Sequence, residues 1–253
     1  MKRLTKEKRE PASRIRRLYT AKLAARVVIF FISIFLYLNE PGQFGVLVGM
    51  NFFRKFSLLH ILWAIWMIDM FFQLIPVESR IPLGSQKLFR QRFSPIREKI
   101  SYQNLKQYII TTTKSAYRVL LLWTVLTAVL GVLYFEHVVD KKFLLMVSVF
   151  FYVCDLICVL IWCPFRLMMG NRCCTTCRIF NWDHLMMFCP LLFVGGFFAG
   201  SLAAVSVAVW LLWEFCVFLY PERFWEYTNA ALKCSNCTDK LCTQYCKKLR
   251  KFC

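Results

Sequence analysis

The chain has 253 residues, 58% of them apolar, and a mean hydropathy of +0.50, which is far from the composition of a soluble domain. Its net charge of +19 is gathered into blocks between apolar runs. That segregation argues for charged loops beside membrane spans and against a nucleic-acid-binding surface.

The basic stretch from Lys2 to Lys22 runs into a span-length apolar segment with no small-residue cleavage site, so the first span is expected to stay in the protein. Crossing ~30 Å of hydrocarbon takes ~20 apolar residues in a helix. Six spans are predicted on this basis, at about Leu23 to Leu38, Phe56 to Ile75, Val119 to His137, Phe143 to Trp162, Leu185 to Phe198 and Leu202 to Tyr220. In the first, Arg26 is expected to snorkel to the interface. The apolar stretch Phe44 to Phe53, with Gly45 and Gly49, is too short to cross and reads as an outer interfacial loop. The fifth span is short and carries Pro190 and the pair Gly195-Gly196, so a re-entrant segment is the alternative there.

The fold expected is therefore an all-α polytopic membrane bundle with a small Cys-rich appendage. Its parts are a basic tail (1–22), a membrane domain (23–220) with loops 77–118 and 163–184, and a tail (221–253). Lys and Arg set the orientation. Nine lie in the N-terminal tail, nine in loop 77–118, three in loop 163–184 and seven in the C-terminal tail. The intervening loops are poor in them. The positive-inside rule then places both termini in the cytoplasm, in an integral membrane protein. Within loop 77–118, the segment Tyr102 to Ile109 has apolar positions at roughly helical spacing. It reads either as an interfacial helix or as a solvated connector.

Thirteen cysteines carry the chemical signal. Two C-x2-C knuckles, Cys174/Cys177 and Cys234/Cys237, flank the last two predicted spans. A hairpin of spans returns them to the same face. Four thiolates from paired knuckles suit a closed structural zinc site, with Cys173, Cys242, Cys246 and His184 as further candidate ligands. An iron–sulfur cluster is the alternative cofactor. The tail set Cys234, Cys237, Cys242 and Cys246 partly resembles the bacterial ferredoxin run, but its middle gap is longer and Lys247 stands where Pro would be. Cys154, Cys158 and Cys216 fall within spans and read as packing residues. Cys163 and Cys189 could join the patch or pack.

Three acids, Asp69, Asp155 and Glu214, lie inside predicted spans. A buried acid there faces the bundle and pairs or takes a proton, either as part of a cation path or as packing glue. No catalytic triad, phosphate loop or zinc-protease signature is present, and no catalytic residue is assigned. The expected function is a membrane scaffold or assembly protein with a cysteine metal site. The alternatives are an iron–sulfur electron carrier and a small proton- or cation-coupled transporter. The partners implied are the lipid bilayer and other membrane or cytosolic proteins, and no nucleic acid.

Overall fold

The computed structural model describes residues 14–74, 93–96, 101–170, 177–233 and 236. These residues are helical, with one isolated antiparallel bridge between Pro95 and Asn229. The helices are α1 (Arg14–Asn39), α2 (Leu59–Leu74), α3 (Tyr102–Phe135), α4 (Lys141–Leu160), α5 (Pro164–Met169), α6 (Asp183–Phe188) and α7 (Gly196–Leu219). Short 3-10 turns join several of them.

Four of these, α1, α3, α4 and α7, are long and apolar enough to cross a membrane. Large apolar side chains face outward on three of them: Phe31 and Phe35 on α1, Leu121 and Val132 on α3, Phe215 and Phe218 on α7. A contiguous apolar exterior of this kind is unstable in water and is the normal outer face of a bundle in lipid. A membrane location follows. Inside, Trp66, Met70, Leu144, Leu145, Phe188 and Leu202 form the fully buried core.

Local chemistry sets the helix ends. Asp140 caps α4, its carboxylate accepting from the Phe143 N–H at 2.8 Å. At the other end, Ile161 and Trp162 both donate to the Ile157 carbonyl, and the chain turns sharply before Pro164. α7 stops before Pro221, which lacks the N–H a further turn would need.

The predicted second span is the 16-residue α2, about 24 Å long, shorter than the four others. The predicted fifth span is not one helix. It divides into α6 and a 3-10 turn, Cys189–Phe193, that contains Pro190. Gly195 and Gly196 then reverse the chain with φ of 70° and 79°. At Gly196 a Cβ would lie 2.8 Å from the Gly49 backbone nitrogen, so the site needs glycine for both conformation and space. The helix predicted as the sixth span, α7, consequently starts at Gly196 rather than Leu202. Irregular backbone persists at membrane depth when protein encloses it. Here Met187, Phe188 and Leu191 are buried, with Phe188 against Trp66 of α2 and the 3-10 turn against α3, α4 and α7.

Other expectations change as well. The segment from Phe44 is not a surface loop: Phe44, Val46 and Leu47 tuck into the core, and the Gly49 carbonyl accepts from Phe197 N–H at 3.0 Å. Tyr102 to Ile109 forms the first turns of the 34-residue α3. The segment after Pro221 forms two 3-10 turns, Pro221–Phe224 and Ala230–Leu232. It folds back on α3, where Trp225 stacks on Tyr108 with ring centroids 5.1 Å apart.

Candidate functional site

Arg26 does not snorkel. It is 9% exposed and points into the bundle, because acids on two other helices meet it there. Its Nη1 donates to Asp155 Oδ2 at 2.6 Å and to the Tyr152 carbonyl at 2.7 Å, both on α4. Its Nη2 lies 3.9 Å from Asp69 Oδ2 on α2. The guanidinium also sits 3.8 Å from the Tyr152 ring centroid, and the Tyr152 hydroxyl donates to Asp69 Oδ2 at 3.1 Å. Three helices are thus tied through one cation. Such contacts are worth most where water is excluded, and removing one partner strands the other.

A second polar group lies beside it. Asp183 Oδ1 accepts from the His184 backbone N–H at 2.9 Å and stands 3.1 Å from His184 Nδ1. Its Oδ2 accepts from Gln73 Nε2 at 3.2 Å. His184 is 3% exposed, and its Nε2 has no hydrogen-bond partner among the described residues. Glu214 is separate. It accepts from Arg178 Nη2 at 2.5 Å and Trp182 Nε1 at 2.7 Å, while Arg178 Nη1 reaches Thr113 Oγ1 at 2.5 Å. Of the three predicted intramembrane acids, Asp69 and Asp155 converge on Arg26, and Glu214 fastens α7 to the segment before α6.

A cavity of about 100 Å³ opens beside Asp155. Phe151, Cys154, Asp155 and Cys158 line it from one face of α4, at i, i+3, i+4 and i+7. Cys163, Cys177, Met186, Met187 and Asp183 line it from the other elements. The Cys158 and Cys163 thiols share a hydrogen bond. That bond, with the backbone N–H groups of Phe165 and Arg166 and the nearby Arg166 charge, holds the Cys163 thiol down at about 7 against the opposing effect of burial.

Of the predicted metal ligands, only Cys177 and His184 can be placed. Cys177 is 6% exposed on the cavity wall. His184 lies inside the bundle against Asp183. Cys173, Cys174, Cys234, Cys237, Cys242 and Cys246 lie outside the described residues. Among the described residues, no three His, Cys, Asp or Glu side chains form a metal-holding group. The sequence reading allowed Cys163 to join the patch of Cys177 but took Cys154 and Cys158 as packing residues, so their place on the same cavity was missed. The i, i+4 spacing of Cys154 and Cys158 was its only local signal.

No family model matches the chain, and neither a curated protein nor a solved structure is similar to it.

Proposed function

We propose that the chain is a six-pass integral membrane protein with cytoplasmic termini, working as a small carrier that couples its cargo to protonation of its buried acids. The observation that carries this is the position of Asp155. One side of its carboxylate binds Arg26, and the residue also lines the cavity. A carboxylate shared between an internal cation and a cavity is placed to exchange a proton, or a bound cation, with whatever enters. Six passes are supported by paired depths. Gln73 at the end of α2 meets Asp183, and Trp63 near its start donates to Ser201 Oγ at 2.9 Å. The stretch from Asp183 to Gly195 therefore runs antiparallel to α2 through the same thickness, and α7 returns to bring Glu214 level with Arg178. With six passes both termini share a side, and their Lys and Arg content names the cytoplasm. A reporter fused at Cys253 that reads outside overturns this topology.

For the coupling itself, purified full-length protein would be placed in vesicles holding a trapped pH dye and exposed to imposed gradients of Na⁺, K⁺, Mg²⁺, Mn²⁺ and Zn²⁺. At least one gradient should move protons, and Asp155→Asn should cut that flux at least tenfold. Wild-type vesicles silent across the whole panel would sink the proposal.

A second reading keeps the four-cysteine zinc site on Cys174, Cys177, Cys234 and Cys237, with a scaffold or assembly role. One observation favours it. The tail folds back toward the element that carries Cys177: Phe224 is buried, its carbonyl accepts from Tyr108, and Arg178 lines the same small pocket. Closing such a site needs that return. Purified protein should hold one zinc and be colourless, whereas a brown protein would indicate the iron–sulfur alternative. The double variant Cys174→Ser, Cys177→Ser should lose the metal, and full retention would remove the stapled site.

A further inference from the structure

The cavity beside α4 has a chemical character that neither reading uses. Hard cations such as Mg²⁺ and Ca²⁺ prefer six or more oxygen ligands. Structural zinc takes four donors in a tetrahedron. Soft monovalent d¹⁰ ions differ: Cu(I) and Ag(I) favour sulfur and accept two thiolates in a near-linear arrangement. The wall holds four thiols, Cys154, Cys158, Cys163 and Cys177, and two thioethers, Met186 and Met187. Of its two carboxylates, Asp183 has both oxygens occupied by Gln73 and His184 and Asp155 has one on Arg26, far fewer free oxygens than a hard cation needs.

We propose that this cavity binds one soft monovalent cation, Cu(I) or its analogue Ag(I), between the sulfurs of Cys158 and Cys163. The pair is already in hydrogen-bond contact, one on the last turn of α4 and the other on the chain that wraps over it after Trp162. That wrap is fixed by the two bonds to the Ile157 carbonyl, so the sulfurs are held together before any ion arrives. Binding displaces both thiol protons to the solvent, so occupancy should rise with pH. One cation and two thiolates leave a single negative charge, and Arg166 on the same wall offsets it. Cys154, Cys177 and the two methionines supply a soft surround for the ion. The inference rests on the membrane helix α4 and not on proton coupling, and its test reads binding alone.

The test is a protection map on the full chain in detergent, under anaerobic reducing conditions. The protein receives one equivalent of Ag(I), or of Cu(I) buffered by a chelator, and is then alkylated with N-ethylmaleimide. Each cysteine is read by peptide mass spectrometry after denaturing digestion. Cys158 and Cys163 should be alkylated at least tenfold more slowly with metal than without, while Cys216 on α7 keeps its rate. In Cys163→Ser the protection of Cys158 should vanish, and if that variant fails to fold the wild-type map still decides. Equal rates at Cys158 and Cys163 with and without metal overturn the proposal. Protection confined to the cysteines of the tail overturns it equally.

Discussion

Replacing Arg26 by Met should destabilise the protein by about 3–5 kcal/mol, the cost of leaving buried acids without their cation. The side chain is 11% exposed and is the shared partner of Asp155 and Asp69, so its loss strands two carboxylates on α4 and α2. Met preserves much of the volume, which isolates charge from packing. Adding Asp155→Leu to Arg26→Met should recover a large part of the loss, because the remaining apolar pair no longer demands solvation. Unfolding followed by helix signal in mixed detergent measures both variants against wild type. If Arg26→Met unfolds within 1 kcal/mol of wild type, on the order of an exposed pair, the network is not structural at all.

The second large effect belongs to Gly196. An Ala there must hold φ near +79°, and its Cβ would press on the Gly49 nitrogen at 2.8 Å and on the Gly49 and Leu47 carbonyl oxygens at 3.0 Å. Strain at such a φ is worth about 1–3 kcal/mol before any clash with fixed backbone is added. The contacts are main chain on both sides, so no side chain can rotate away. Gly196→Ala should therefore lower stability by more than 2 kcal/mol and loosen the join between α7 and the segment at Gly49. Gly200→Ala is the control, since a Cβ there meets nothing within 4 Å. Similar unfolding of the two variants would show that the tight approach at Gly196 is not required.

The contrast between sequence and structure follows from what each residue type can signal alone. Long apolar runs announce themselves, so α1, α3, α4 and α7 were legible as spans. Arg26 was misread because an arginine close behind a basic tail has an easy route to the interface. Only the meeting of Asp69 and Asp155, distant in sequence, turns it inward. The break at Pro190 and Gly195-Gly196 was visible as composition. Its outcome was not, since whether irregular backbone survives at that depth depends on its neighbours. The apolar character of Phe44, Val46 and Leu47 was plain, but their inward turn rests on the close approach of Gly49 to Gly196. Asp69, Asp155 and Glu214 were read as acids within apolar runs, yet their division into two separate clusters is a tertiary fact. The thiol-lined cavity needed the turn after Leu160, which no spacing encodes.

α3 has one further consequence. At 34 residues it is about 51 Å long, some 20 Å more than the hydrocarbon it could fill. The surplus lies at its N-terminal end, where Tyr108 meets Trp225 and the Phe224 carbonyl. A rod packed along part of its length and protruding at one end is a lever arm. Tilting it by about 10° sweeps a point 20 Å out through ~3–4 Å, enough to break a ring stack. The packing of α3 against its neighbours, which sets the tilt of such a rod, is thereby mechanically linked to how tightly the C-terminal segment is clasped.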